Sequence, residues 1–427
     1  MKLSIEGYKS ISEKQTIDIK GLTILAGANS SGKSSFMQPL LLIKQTLEND
    51  FDAGAIMLDG ANVRLSDSSE IISKVPVKEK KEFAITVSDS DYEISATYEL
   101  GIKSGVQIHS IYVKDERFAN GATIKKSLSP IETENLLPEI TKKQIKAFFS
   151  KKGAVLEWKV ERRRCFLDLC INEKTSPLSV LSPASRLAYI AIELIHVPGL
   201  RGNPERSYRV SASEIIFPGS FENYVASTIN KWKTKKENEH KFTKLVNYLN
   251  LLELASLIDI TPENETRIKI EISRHKGTKK KTDLVNIADV GFGVSQVLPV
   301  LVALLEAHNG QIVYIEQPEL HLHPRAQSKL AAIIADVLKK NKIKIIIETH
   351  SSILIRSIQT LVAKNELKKD LVSLNWFTQD KNTGQTKISS AELDDCGAFG
   401  DWPEDFDATA LSVEQDYLDA VAEKIFK

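Results

Sequence analysis

The pattern of apolar and polar positions divides the chain into three kinds of segment. Near the N-terminus, residues 2–7 and 16–19 alternate as strands do, and LTILAG (22–27) is an apolar run that enters a glycine- and serine-rich turn. The helical pattern SSFMQPLLLIKQTLEND (34–50) follows, so strand, loop and helix succeed one another. From about Ser66 to Thr282 the pattern shortens to alternating stretches such as EFAITVSDSDYEISATYEL (82–100) and LEWKVERRRCFLDLCIN (156–172). These are mixed with charged helical segments around 220–258. This predicts a β-rich lobe plus a helical part. Several consecutive heptads are absent, so no long coiled-coil arm is expected. After Asp283 the apolar strands QIVYIE (311–316) and KIKIIIET (342–349) alternate with helical runs at 293–308, 324–340 and 351–365. Buried strands alternating with helices predict an α/β fold whose mainly parallel sheet is covered on both faces.

Composition narrows the partners. With 57 Lys+Arg against 56 Asp+Glu, the net charge is +1, so no whole-molecule field favours nucleic acid or an anionic membrane. Three cysteines, Cys165, Cys170 and Cys396, include no CxxC pair, which fits a reducing, cytoplasmic setting. No run of about 18 apolar residues and no signal-peptide core is present, so neither a membrane span nor secretion by that route is expected.

GANSSGKSS (27–35) fits G-x-x-x-x-G-K-[ST] between a strand and a helix. Gly27 and Gly32 let backbone N–H groups turn inward around phosphates, with Asn29, Ser30, Ser31 and Ser35 completing the loop. Lys33 is placed to reach the β- and γ-phosphates, and the Ser34 hydroxyl to ligate Mg²⁺. The cofactors predicted are therefore ATP and Mg²⁺. Glu316 ends an apolar strand and should emerge at the carboxyl edge of the sheet as a second metal ligand. His350, in THSS after another buried strand, is a candidate γ-phosphate sensor. ADVGFGVSQVLP (288–299) is a two-glycine turn that opens an apolar helix. His321 and His323 form an H-x-H pair with zinc-like spacing, but HLHP reads more simply as a loop with Pro324 in the first turn of a helix.

The order of phosphate loop, glycine turn, EQPELHLHP (316–324) and THS resembles the ABC-class ATPases of the SMC/OLD type, including stand-alone ATPases of prokaryotic antiphage systems. LDGANVRLSD, VPGLRGNPERSY and GAFGDWPEDFD resemble a subgroup with a short C-terminal domain of unassigned function. The resemblance implies an ATPase head formed from residues 1–65 and 283–380, split by a lobe at 66–282 and followed by an extension at 381–427. It further implies a homodimer, or a higher even-numbered oligomer, that sandwiches ATP. Gly291 and Gly293 would then be the signature that caps the opposing γ-phosphate, Glu316 the Walker B acid, and His350 the switch histidine. Two departures stand out. Gly291 occupies the place of the signature serine, leaving Ser295 as the nearby hydroxyl, and Gln317 stands where a water-polarising glutamate is usual. Three readings stay open: Glu319 as the displaced base, Gln317 as a water-orienting amide, or a structural role for both.

The resulting expectation is a slow ATPase, without an effector activity of its own, that regulates a separate effector such as a nuclease in antiphage defence. One alternative is an SMC- or RecF-like clamp, with sequence-tolerant DNA contact through TKKQIKAFFSKKG, ERRRC, KWKTKK and RHKGTKKK. The other is a transporter's nucleotide-binding subunit, which the large insertion disfavours.

Overall fold

The computed structural model describes residues 1–52, 54–75, 81–101, 105–150, 157–173, 176–211, 215–273 and 283–400, with 415, 418, 419 and 421. The basic run at 274–281 and Trp402 and Pro403 of the C-terminal motif lie outside the described residues.

The chain begins with β1 (Lys2–Glu6) and β2 (Gln15–Asp18); β3 (Leu22–Gly27) then leads through the glycine-rich loop into α1 (Lys33–Glu48). β4 (Glu82–Ser88), β5 (Glu93–Gly101), β6 (Gly105–Lys114) and β7 (Ala122–Lys125) form a meander, followed by α2 (Pro130–Leu136) and α3 (Glu139–Ser150). A smaller meander, β8 (Trp158–Arg163), β9 (Phe166–Glu173) and β10 (Ser176–Leu181), precedes α4 (Ser185–Glu193) and β11 (Ile195–Val197). Next come β12 (Tyr208–Arg209), α5 (Val225–Thr234), α6 (Glu239–Leu251), β13 (Ile258–Pro262), β14 (Arg267–Ser273) and β15 (Leu284–Asn286). The chain then alternates through α7 (Phe292–Glu306), β16 (Ile312–Glu316), α8 (Pro324–Lys340), β17 (Lys344–Thr349) and α9 (Ser352–Ala363), ending in β18 (Val372–Gln379) and β19 (Thr386–Ala391).

The head sheet has the order β11-β16-β17-β3-β18-β19, parallel throughout except for the last pair. Its central strands β3, β16 and β17 are apolar along most of their length because both faces are covered. Ile345 and Ile347 of β17 enter one core with the buried faces of α5 to α9, whereas Ile346 enters the other with Leu25, Tyr314 and the apolar face of α1. The fold is thus the expected α/β arrangement with a mixed, mainly parallel sheet.

The sheets join strands from different segments of the sequence. β1 and β2, from the segment 1–65, pair into the six-stranded antiparallel sheet of β4 to β7. β11, from within 66–282, is an edge strand of the head sheet, and β19, from the expected C-terminal extension, closes its other edge. The reason is physical: a three-residue edge strand such as Ile195–Val197 is too short to carry a period, and strand pairing is a long-range choice. Among the described residues the longest helix has 17 residues.

Candidate nucleotide-binding site

Parallel pairing brings the carboxyl ends of β3, β16, β17 and β18 to one edge, where open α/β sheets hold their ligands. β3 leaves that edge through a loop whose backbone only glycine tolerates at two points. Gly27 has φ 145° and Gly32 φ 100°; a Cβ at Gly27 would lie 2.3 Å from the Phe377 carbonyl oxygen. Ser30 is also left-handed, at φ 61°. The N-terminus of α1 has no side-chain cap and no acid in its first turn, so its free N–H groups and partial positive charge face the loop. Lys33 is folded back: its Nζ donates to the carbonyls of Gly27 at 3.1 Å and Ala28 at 2.7 Å. Burial lowers the pKa of this ammonium, while Glu348 opposes the shift. A cavity of about 500 Å³ is lined by Asn29 to Ser35, Gln317, Glu348 and His350.

The acid that touches Ser34 is Glu348, which the sequence reading did not single out. The Ser34 hydroxyl donates to Glu348 Oε1 at 2.9 Å, and the buried Tyr314 hydroxyl donates to Oε2 at 3.0 Å. Burial raises the pKa of this carboxyl, as does repulsion from Glu316, which is opposite it in register. Its sequence signal was an acid at the penultimate position of the apolar strand KIIIET, directly before Thr349 and His350.

Glu316 does emerge at the sheet edge, but both of its oxygens are engaged elsewhere. His196 Nε2 lies 3.2 Å from Oε1, and the Gly199 N–H donates to Oε2 at 3.0 Å. Burial alone would raise the pKa of Glu316; the His196 and Gly199 contacts outweigh it and hold the carboxyl below its ordinary value. Asn62 Oδ1 contacts His196 Nδ1 at 2.9 Å, and the imidazole stacks on Tyr314 with centroids 5.4 Å apart. Ser34 and Glu348, with Glu316 opposite Glu348 in register, offer oxygens of the kind that a hard divalent cation such as Mg²⁺ takes.

The two candidate water-handling residues part company. Gln317 takes a left-handed backbone, φ 44°, its N–H donating to the Glu348 carbonyl at 2.7 Å, and it lines the cavity with the loop and His350. Glu319 is buried and committed: Oε1 accepts from the Thr349 hydroxyl at 2.6 Å and from the His350 N–H at 3.0 Å. Oε2 has no hydrogen-bond partner, and burial raises this carboxyl's pKa. His350 lies at the cavity; burial first, and the Lys33 charge second, lower its pKa, which favours the neutral imidazole.

The GFG turn opens α7 as expected, with Gly291 at the cap and Gly291 and Phe292 exposed. The Ser295 hydroxyl donates to the Phe292 carbonyl at 2.9 Å, and Phe292 faces the His321 ring at 6.1 Å. Neither Gly291 nor Gly293 lines the cavity around this chain's own phosphate loop. His323 caps α8, its Nδ1 accepting from the Arg325 N–H at 3.3 Å, and Pro324 is the first helical residue. Among the described residues, His321 and His323 belong to no cluster of metal-ligating groups. No described helix is long and apolar enough to cross a membrane.

Residues 22–356 match the family described as "AAA domain, putative AbiEii toxin, Type IV TA system". No curated protein matches the chain. Among solved structures the chain is similar to an SMC head bound to the C-terminal winged-helix domain of ScpA, at 14% identity and TM-score 0.45, covering 92% of this chain and 97% of the other. It is also similar to the SMC head domain from Thermotoga maritima, at 12% identity and TM-score 0.40, covering 92% and 98%. A third is the Smc head with an extended coiled coil from Pyrococcus furiosus, bound to the C-terminal domain of ScpA, at 12% identity and TM-score 0.45, covering 100% and 99%.

Proposed function

Because the chain belongs to the AAA-domain family of the AbiEii-toxin description, we propose that it binds ATP with Mg²⁺ and hydrolyses it slowly. The observation that carries this reading is the phosphate loop itself, an uncapped helix N-terminus with Lys33, next to Ser34 and Glu348 and bounded by Gln317 and His350. In this reading the loop amides and Lys33 hold the phosphates. Ser34, Glu348 and, beside them, Glu316 would hold the metal, which would supply positive charge to the phosphates. Gln317 orients the attacking water through its amide without taking its proton, and neutral His350 donates to the γ-phosphate. Losing a general base costs about 10²- to 10⁴-fold, so turnover is slow rather than absent.

Gly291, Gly293 and Ser295 have no part in the chain's own cavity. We assign them to the nucleotide of a second copy in an ATP-closed homodimer, with exposed Phe292 at the contact. Opening and closing of that dimer would regulate a separate effector, such as a nuclease, in a defence system. The toxin–antitoxin wording of the family description is compatible with such a module.

Several cations of the described basic clusters have partners within the chain, and an SMC- or RecF-like clamp stands as the alternative reading. Arg162 pairs with Asp52 at 2.8 Å, Lys231 with Glu306 at 3.6 Å, and Lys233 with Asp259. Arg164 Nη1 donates to the carbonyls of Thr46, Leu47 and Asn49 at the end of α1.

The test is Lys33→Ala, measured by calorimetric titration with ATP and Mg²⁺. Binding should be lost, and retained affinity would remove the phosphate-loop assignment. Mixing Lys33→Ala with Gly293→Asp chains should restore one composite site and part of the turnover. Complete inactivity of the mixture, with both chains folded, counts against the sandwich.

A further inference from the structure

We propose that the segment His196–Gly202, and Arg201 above all, is a positioning strap that holds the Glu316–Gln317 turn and ties it to the first turns of α7. This rests on the ATPase reading above and assigns a role to residues outside its motifs.

Topology brings the strap there. β11 is parallel to β16, with His196 opposite Tyr314 and Val197 opposite Ile315, so the chain leaving β11 runs past the end of β16. Three successive grips follow. The His196 imidazole and the Gly199 amide occupy the two oxygens of Glu316, at 3.2 and 3.0 Å. A Cβ at Gly199 would lie 3.3 Å from Oε2, which leaves little room for a side chain in this approach. The Arg201 guanidinium then reaches two elements at once. Nη2 donates to the carbonyls of Glu316 at 2.7 Å and Gln317 at 3.3 Å, while Nη1 donates to the Gln296 carbonyl of α7 at 3.0 Å. The clasp is reciprocal, since the Gln296 amide donates back to the carbonyls of Arg201 at 3.4 Å and Gly202 at 3.3 Å.

The choice of residue follows from this geometry. A planar fork can serve carbonyls on two elements in fixed directions, whereas a lysine ammonium is a point charge on a flexible stem. Arg201 is only 8% exposed, and its charge is balanced by Glu319, Glu222 and Glu316 around it. Gln317 sits in a left-handed conformation that a side-chain-bearing residue keeps only when its surroundings hold it. The backbone of this cavity-lining residue is therefore fixed from outside the phosphate site. Gln296 lies three residues beyond Gly293, so displacement of the start of α7 by a second copy's nucleotide would pull on the same guanidinium. Arg201 does not line the phosphate-loop cavity, so it is a positioning residue rather than a catalytic one.

The test uses the full chain with Arg201→Lys, Gln296→Met and the double variant. ATP affinity with Mg²⁺, steady-state phosphate release and thermal melting are measured for each. Affinity should stay within about threefold while kcat falls at least tenfold in each single variant, and the double variant should be no slower than the slower single one, as members of one clasp behave. Unchanged kcat in a folded Arg201→Lys overturns the proposal, as does full additivity in the double variant. If Arg201→Lys does not fold, Gln296→Met decides: reduced kcat with retained affinity supports the strap, and wild-type kcat overturns it. A wild-type chain that does not bind ATP instead overturns the ATPase reading, and the strap with it.

Discussion

Replacing Glu319 by glutamine separates the two proposed ways in which the candidate site would handle an attacking water. The carboxylate accepts from the Thr349 hydroxyl at 2.6 Å and the His350 N–H at 3.0 Å through one oxygen, and its other oxygen is buried without a partner. A glutamine keeps a carbonyl oxygen for both donors, so the turn that carries His350 should survive. It also removes a charge that burial penalises. The folded pKa is raised, so the native state is favoured below the ordinary value of 4.5 and loses that advantage as pH rises through the folded value. At neutral pH the relief of that buried charge is opposed by the lost attraction to Arg201 and by a buried amide N–H₂ in place of the partnerless oxygen, so melting should shift little. If Glu319 only supports the turn, kcat should stay within about threefold. If it is the general base, kcat should fall by about 10²- to 10⁴-fold, or about 2.7–5.5 kcal/mol of barrier. The assay is phosphate release at saturating ATP and Mg²⁺, with ATP affinity and melting measured on the same samples. A hundredfold loss with affinity and fold intact would refute the structural assignment of Glu319 and make it the base. The companion Glu319→Ala strands a hydroxyl and an amide and should cost about 1–3 kcal/mol for each.

Three further outcomes are expected. Glu348→Gln keeps a carbonyl acceptor for only one of the Ser34 and Tyr314 hydroxyls and removes a carboxylate whose pKa is raised by burial and by Glu316; it should raise the Mg²⁺ concentration needed for half-maximal turnover, and an unchanged Mg²⁺ dependence in a folded variant would exclude Glu348 from the proposed metal site. His350 has a folded pKa below its ordinary 6.5, so the unfolded chain takes up the proton first and stability should decline as pH falls through about 6.5. Melting between about pH 8 and 5 should show a shallower decline in His350→Asn, and equal slopes would contradict the burial argument. Arg164→Ala removes a cation from three carbonyls at the end of α1 and should cost about 1.5–3 kcal/mol in urea denaturation; a change near zero would mean that water caps the helix equally well.

Much of the site was legible because its parts are local. The glycines, Lys33 and Ser34 of the phosphate loop lie within eight consecutive residues, and strand, loop and helix are adjacent in the chain. The strand ends at Glu316 and Thr349, the Pro324 helix start and the GFG turn before α7 likewise follow from short-range patterns. The remainder depends on strand order, which periodicity does not encode. Glu348 is next to Glu316 and to Ser34 only because β17 lies between β16 and β3. His196 and Arg201 reach the end of β16 only because a three-residue strand from within the expected insertion pairs beside it.

Sequence by itself thus determined the phosphate loop, the α/β class and the substitution of an amide at position 317, since each is written in residue identity or in spacing along the backbone. Tertiary structure decided which oxygens are left to act. It commits Glu319 Oε1 to the turn of His350, engages both oxygens of Glu316 with His196 and Gly199, and puts Glu348 on the Ser34 hydroxyl. A carboxylate's role follows from the partners that its two oxygens meet, and those partners come from strands and loops brought together only by packing.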